Sequence, residues 1–107
     1  MTKHLFIGGL VAAGFDPNGK YLLVVSHSGR GVFDTNSWEC VARDRELSYP
    51  ACGYAGGIGP IAAIAVPVRE ANYETGVIHF ITADGKFSVW YNEGTLTVAT
   101  NDGQAIA

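Results

Sequence analysis

Charge is scarce in this chain: Asp, Glu, Lys and Arg make up 16% of its 107 residues, against 48% apolar ones. The sequence shows no basic patch, and phosphate neutralisation supplies most of the affinity for nucleic acid, so nucleic-acid binding is disfavoured and no nucleic-acid partner is expected. Long apolar runs are missing as well, since none reaches the roughly 18 residues needed to cross a bilayer, and no membrane partner is expected. Cysteine occurs only as Cys40 and Cys52. Two such residues are too few for a disulfide framework and lack metal-ligand spacing, which reads as a pair of reduced, partly buried thiols in a cytoplasmic protein, with a single bridge in a periplasmic protein as the alternative. His4, His27 and His79 are the only histidines, and none stands in a short-range pair with another metal ligand or a carboxylate, so no metal or other cofactor is expected. The N-terminal KHLFIGGLVAAGF imitates a short secretory signal, but its glycines interrupt the apolar stretch and it reads as part of the folded chain.

The apolar fraction is that of a chain with a core, and the length is that of one domain, taken here as 1–107. Its clearest stretch is VIHFITADGKFSVWYNEGTLTVA, ending at Ala99. Apolar residues alternate through Phe87, Val89 and Tyr91 and again through Leu96 and Val98, while Asp84-Gly85 and Glu93-Gly94 supply turn residues at the breaks, so a β-meander is predicted. Residues 3–14 read as one or two short strands around Gly8-Gly9. Asp16-Pro17-Asn18-Gly19 is a strong turn signal. Tyr21–Ser26 (YLLVVS) is continuously apolar and branched, the composition of a central strand covered on both faces. Short strands follow at Val32–Asp34 and Trp38–Ala42, separated by turns. The alternation stops at Arg43, glycines crowd residues 53–60, the apolar run between Pro60 and Pro67 suits a short edge strand, and Arg69–Thr75 reads as a polar loop.

Tyr21–Asp34 and Val77–Tyr91 share one plan of strand, small turn with Gly and a basic residue, then Val and an aromatic, which marks two repeat-like β units at about 15–44 and 76–99. Within them, Phe15-Asp16-Pro17-Asn18-Gly19-Lys20-Tyr21-Leu22 resembles the start of the second strand of a WD-repeat β-propeller blade. Asp84-Gly85 with Val89-Trp90-Tyr91, and Phe33-Asp34, resemble the third strand of such a blade. The chain is too short to close a propeller ring. The fold expected is therefore all-β: two antiparallel blade-like sheets packed as a small sandwich or a partly open barrel.

No catalytic constellation emerges. His27 and Ser28 are adjacent on the chain and point apart on a strand, so they cannot serve each other. The glycines of 53–59 lack the Lys-Ser/Thr ending of a phosphate loop. Binding is better supported, because residues 54–107 hold two basic and five acidic side chains, and amphipathic aromatics of the kind enriched in interface hot spots lie among them. Trp90, Tyr91, Asp84, Glu93, Tyr73 and Glu74 are the expected partner contacts. The expectation is a non-enzymatic protein-binding module, in its concrete form a bacterial immunity protein that blocks a basic toxin domain; blade-like propellers of the resembled family are mainly protein-binding platforms. The alternative is a small β-barrel that binds a ligand or acts as an enzyme, its cavity lined by His27, Arg30 and His79. A homo-oligomer stays open, as does the face of the C-terminal meander that is left bare.

Overall fold

A computed structural model describes residues 2–27, 29–44, 58–61, 66, 68–72, 74–82 and 84–100. The strands are β1 (Thr2–Phe6), β2 (Leu10–Phe15), β3 (Tyr21–Ser26), β4 (Gly29–Asp34), β5 (Cys40–Asp44), β6 (Arg69–Glu70), β7 (Ile78–Ile81), β8 (Phe87–Asn92) and β9 (Thr95–Thr100), with one 3-10 turn at Gly59–Ile61. They form two antiparallel sheets, one of four strands in the order β1-β9-β8-β7 and one of five in the order β5-β4-β3-β2-β6. The sheets pack together without closing into a barrel, which decides between the two forms expected from the sequence.

Each sheet is built on a meander. β2, β3, β4 and β5 follow one another in space as in sequence; β7, β8 and β9 do the same, but their fourth strand is β1, brought from the other end of the chain. Gly8 and Gly9 therefore turn the chain from one sheet into the other rather than closing a hairpin. The turns that open the meanders match bond for bond. In the first, the Asp16 amide donates to the Tyr21 carbonyl and the Gly19 amide to the Asp16 carbonyl; in the second, Thr82 pairs with Phe87 and Gly85 with Thr82 in the same way. Asp16 Oδ1 accepts from the Tyr21 amide at 2.8 Å, and Thr82 Oγ1 accepts from the Phe87 amide at 3.1 Å. Tyr21 thus takes the place of Phe87, Gly29 of Thr95 and Asp34 of Thr100. This corrects the alignment expected from sequence, because Tyr21–Asp34 spans β3 and β4 whereas Val77–Tyr91 spans β7 and β8, a different step of the meander.

The core between the sheets joins Leu5, Leu10, Ala13, Phe15, Leu22 and Val24 to Ile78, Phe87, Val89, Tyr91, Leu96 and Val98. Phe15 and Phe87 stack with ring centres 4.6 Å apart and planes within 6°, so the equivalent turns are clamped by the residues beside them. β3 is the central strand, and both of its faces are covered as its composition predicts. Leu22 and Val24 face the four-stranded sheet, while Leu23 and Val25 face a second cluster with Val32, Ile58, Ile61 and Val66. Fully burying one such aliphatic side chain contributes about 1.5–3 kcal/mol, so Ile58, Ile61 and Val66 are held on this face by apolar burial.

Three local expectations change. Arg69 and Glu70, read as loop, form the edge strand β6 by pairing with Ala13 and Ala12. Trp38 does not begin a strand: its φ is 62° and its amide donates to the Asp34 carbonyl, so it closes the β4–β5 turn. Pro60 and Ile61 lie in the 3-10 turn, and most of the edge strand expected between Pro60 and Pro67 falls outside the described residues.

Candidate interaction face and clefts

The strand period places β8 residues on opposite faces. Phe87, Val89 and Tyr91 are buried against the five-stranded sheet, and Ser88, Trp90 and Asn92 face outward. Register then extends the outward face across the sheet. His79 pairs with Trp90, Trp90 with Thr97 and Thr97 with His4, making one transverse row; Ile81, Ser88, Ala99 and Thr2 make a second, and Asn92, Thr95 and Phe6 a third. None of these residues is Asp, Glu, Lys or Arg. Phe6 is 85% exposed, Ile81 58% and Trp90 40%, the largest apolar exposures of the described residues apart from Val41 at 45%. Thr97, within the first row between Trp90 and His4, is buried, and its hydroxyl is hydrogen-bonded to His4 Nδ1 at 3.1 Å. The bare face of the meander is therefore the Trp90 face: uncharged, part apolar and carrying two exposed imidazoles.

Of the contacts expected from sequence, Trp90 lies at the middle of this face. Tyr91 does not: it is buried, its hydroxyl donates to the Ile7 carbonyl at 2.6 Å and accepts from the Leu10 amide at 3.4 Å. It is a core residue that pins the β1–β2 crossing between the sheets, and alternation with an outward Trp90 requires this. Asp84 and Glu93 sit at opposite ends of β8, Glu93 with φ of 50° in the tight turn it forms with Gly94. Asp84 Oδ1 accepts from the Lys86 amide at 3.0 Å and the Thr82 hydroxyl at 2.7 Å. The Lys86 amide, then the Thr82 hydroxyl, hold its carboxyl below the ordinary carboxylate range and keep it charged. Glu74 is exposed in the turn capped by the Asn72 side chain. Because Ile78 pairs with Tyr91, that turn leaves the sheet at the Glu93 end. Tyr73 lies outside the described residues.

The cavity expected from His27, Arg30 and His79 is not assembled. His79 is on the outer face of β7 and His27 is exposed beside the β1–β2 turn, where its ring leaves no room for a Cβ on Gly9. Arg30 borders a cleft of about 480 Å³ with Arg43, Phe6 and Phe33, reached by neither histidine. Cys40, expected to be partly buried, is exposed and unpaired; its thiol donates to the Ala42 carbonyl at 3.3 Å and accepts from Arg43 at 3.9 Å.

A second cleft, of about 370 Å³, opens between the two matched turns. Phe15, Phe80 and Phe87 line it together with Asp16, Asp84 and Arg69. The Arg69 guanidinium lies 5.4 Å over the Phe80 ring. Of these residues only Asp84 is among the partner contacts expected from the sequence. Alternation in IHFI does carry the signal for His79 and Ile81, but His4 and Phe6 join the face only through the β1–β9 pairing, and Arg69 reaches the cleft only through the β2–β6 pairing. No family model matches this chain, and no curated protein or solved structure is significantly similar to it.

Proposed function

We propose that the chain is a non-enzymatic protein-binding module that meets its partner with the outer face of the four-stranded sheet. One observation carries this reading: a whole sheet face has no charged side chain, yet leaves Phe6, Ile81 and Trp90 in water. An uncharged aromatic centre that can be desolvated cheaply, surrounded by polar groups, is the usual anatomy of an interface. Glu74 and Glu93 put negative charge at one end of the face, which suits a basic partner through complementarity and faster encounter, while Asp84 at the other end is offset by Lys86 and the Phe6 corner borders Arg30 and Arg43. The more specific form of the proposal is a cytoplasmic bacterial immunity protein that occludes a basic toxin domain. The blade-like resemblance points to the same class of role.

The test is affinity capture from a lysate, identification of the bound protein, and reconstitution of the pair from purified components. Calorimetry on wild type, Trp90→Ala and Ile81→Ser should show losses of about 2 kcal/mol or more at a central hot spot, with Val41→Ser on the far sheet unchanged. A reconstituted complex indifferent to Trp90 and Ile81 would remove this face from the account, and a neutral or acidic partner would remove the toxin form of it.

A further inference from the structure

The cleft between the matched turns meets the edge of the Trp90 face, from which it shares Ile81 and Asp84, but excludes Trp90 and combines three kinds of surface. Its wall is the stacked pair Phe15 and Phe87 with Phe80 beside them. Arg69 supplies a cation that stacks on Phe80 and forms no ion pair among the described residues. Asp16 and Asp84 supply carboxylates. Asp16 is only 5% exposed, and its Oδ1 is taken by the Lys20 and Tyr21 amides at 2.7 and 2.8 Å, while Oδ2 has no partner among the described residues. The carboxylate is fixed in place by those two amides, and its second oxygen is left accessible on the cleft wall, where it can accept from a ligand's donor.

We propose that this cleft binds a small zwitterion, an α-amino acid with an apolar or aromatic side chain. Its ammonium lies between Asp16 and Asp84, its carboxylate takes the guanidinium fork of Arg69, and its side chain lies on the phenylalanine wall. A pure cation would leave Arg69 unpaired beside it, and a pure anion would face two carboxylates. The volume of about 370 Å³ admits a molecule of amino-acid size and is at the small end of ligand pockets, which run from roughly 300 to 1,000 Å³.

The experiment titrates the full chain calorimetrically with L-phenylalanine, phenethylamine and 3-phenylpropionate, which share the ring and differ in charge. Phenylalanine should bind saturably, and each single-charge analogue at least about tenfold more weakly, because each loses a charge-assisted contact. Arg69→Gln should lower phenylalanine to the affinity of phenethylamine and leave phenethylamine unchanged. Asp84→Asn keeps the turn acceptor and should weaken both amines alike, while Trp90→Ala should alter none of the three. The proposal is overturned if phenylalanine shows no saturable binding up to about 10 mM, ten times a Kd of about 1 mM and enough to fill such a site. Equal affinity for phenylalanine and phenethylamine, or indifference to Arg69→Gln, would also overturn it.

Discussion

Replacing Asp16 with alanine removes the acceptor around which the first meander turns. The Asp16 carboxylate takes two amides, Lys20 at 2.7 Å and Tyr21 at 2.8 Å, from a residue 5% exposed. A hydrogen bond to a charged group contributes about 1.5–3 kcal/mol, and a buried donor left without a partner costs about 1–3 kcal/mol. Lys20 is exposed and its amide can turn to water, so only the Tyr21 bond carries the full cost. The expected loss is therefore about 2–4 kcal/mol, or a fall in Tm of roughly 8–16 °C for a domain of this size. Asp16→Asn keeps an acceptor oxygen, and Asp16→Thr copies the hydroxyl that Thr82 offers to Phe87 in the matched turn; both should recover more than half of the loss. Urea unfolding followed by far-UV circular dichroism measures all three. A loss under about 1 kcal/mol for alanine, or asparagine and threonine as damaging as alanine, would refute the assignment of this turn to one side-chain acceptor.

Tyr91→Phe deletes the bond to the Ile7 carbonyl while keeping the ring, and should cost about 1–2 kcal/mol by urea denaturation, with hydrogen exchange rising at Leu10, whose amide meets the same hydroxyl. Gly59→Ala should cost about 2 kcal/mol or more, since φ is 50° there and the new Cβ would collide with the Ala42 Cβ, so the 3-10 turn must lift from the five-stranded sheet. Acidification tests Asp34 and Asp84. The amides of Asn36 and Ser37 hold Asp34, and the Lys86 amide and Thr82 hydroxyl hold Asp84, below the ordinary value of 3.8. A lowered folded value contributes stability above the unfolded pKa that is lost as pH falls through the folded one. Stability should therefore decline from about pH 4 downward, and the double variant Asp34→Asn/Asp84→Asn should show a shallower decline in the same acid titration.

How far the sequence reveals this fold depends on the range of each interaction. Tyr21–Ser26 has no polar residue until Ser26, and only a central strand with two covered faces can bury such a run; β3 is that strand. Asp16-Pro17-Asn18-Gly19 and Glu93-Gly94 specify their turns through residues that tolerate positive φ, and Gly19 and Gly94 have φ of 70° and 82°. Strict alternation in Phe87–Tyr91 fixes that Trp90 faces away from Tyr91. It does not fix which face is bare, because that depends on where the other sheet lies. The same alternation made Trp90 and Tyr91 incompatible as contacts with one partner. The strand–turn–strand pattern is alike at each step of a meander, so sequence cannot say which turns correspond, and only the paired bonds of the Asp16 and Thr82 turns match them. The pairing of His4 with Thr97 and of Arg69 with Ala13 joins segments remote in sequence, and no local periodicity encodes a partner at that distance. Both the full extent of the Trp90 face and the zwitterion cleft depend on such pairings.

The bare face of the four-stranded sheet is the centre of this account, and the most direct measurement is the affinity of the reconstituted partner for wild type and for Trp90→Ala. The face reading predicts a weakening of at least about thirtyfold, the equivalent of a 2 kcal/mol hot spot, with the far-sheet Val41→Ser variant at wild-type affinity. Unchanged affinity for Trp90→Ala, in a variant that melts as wild type does, would contradict it.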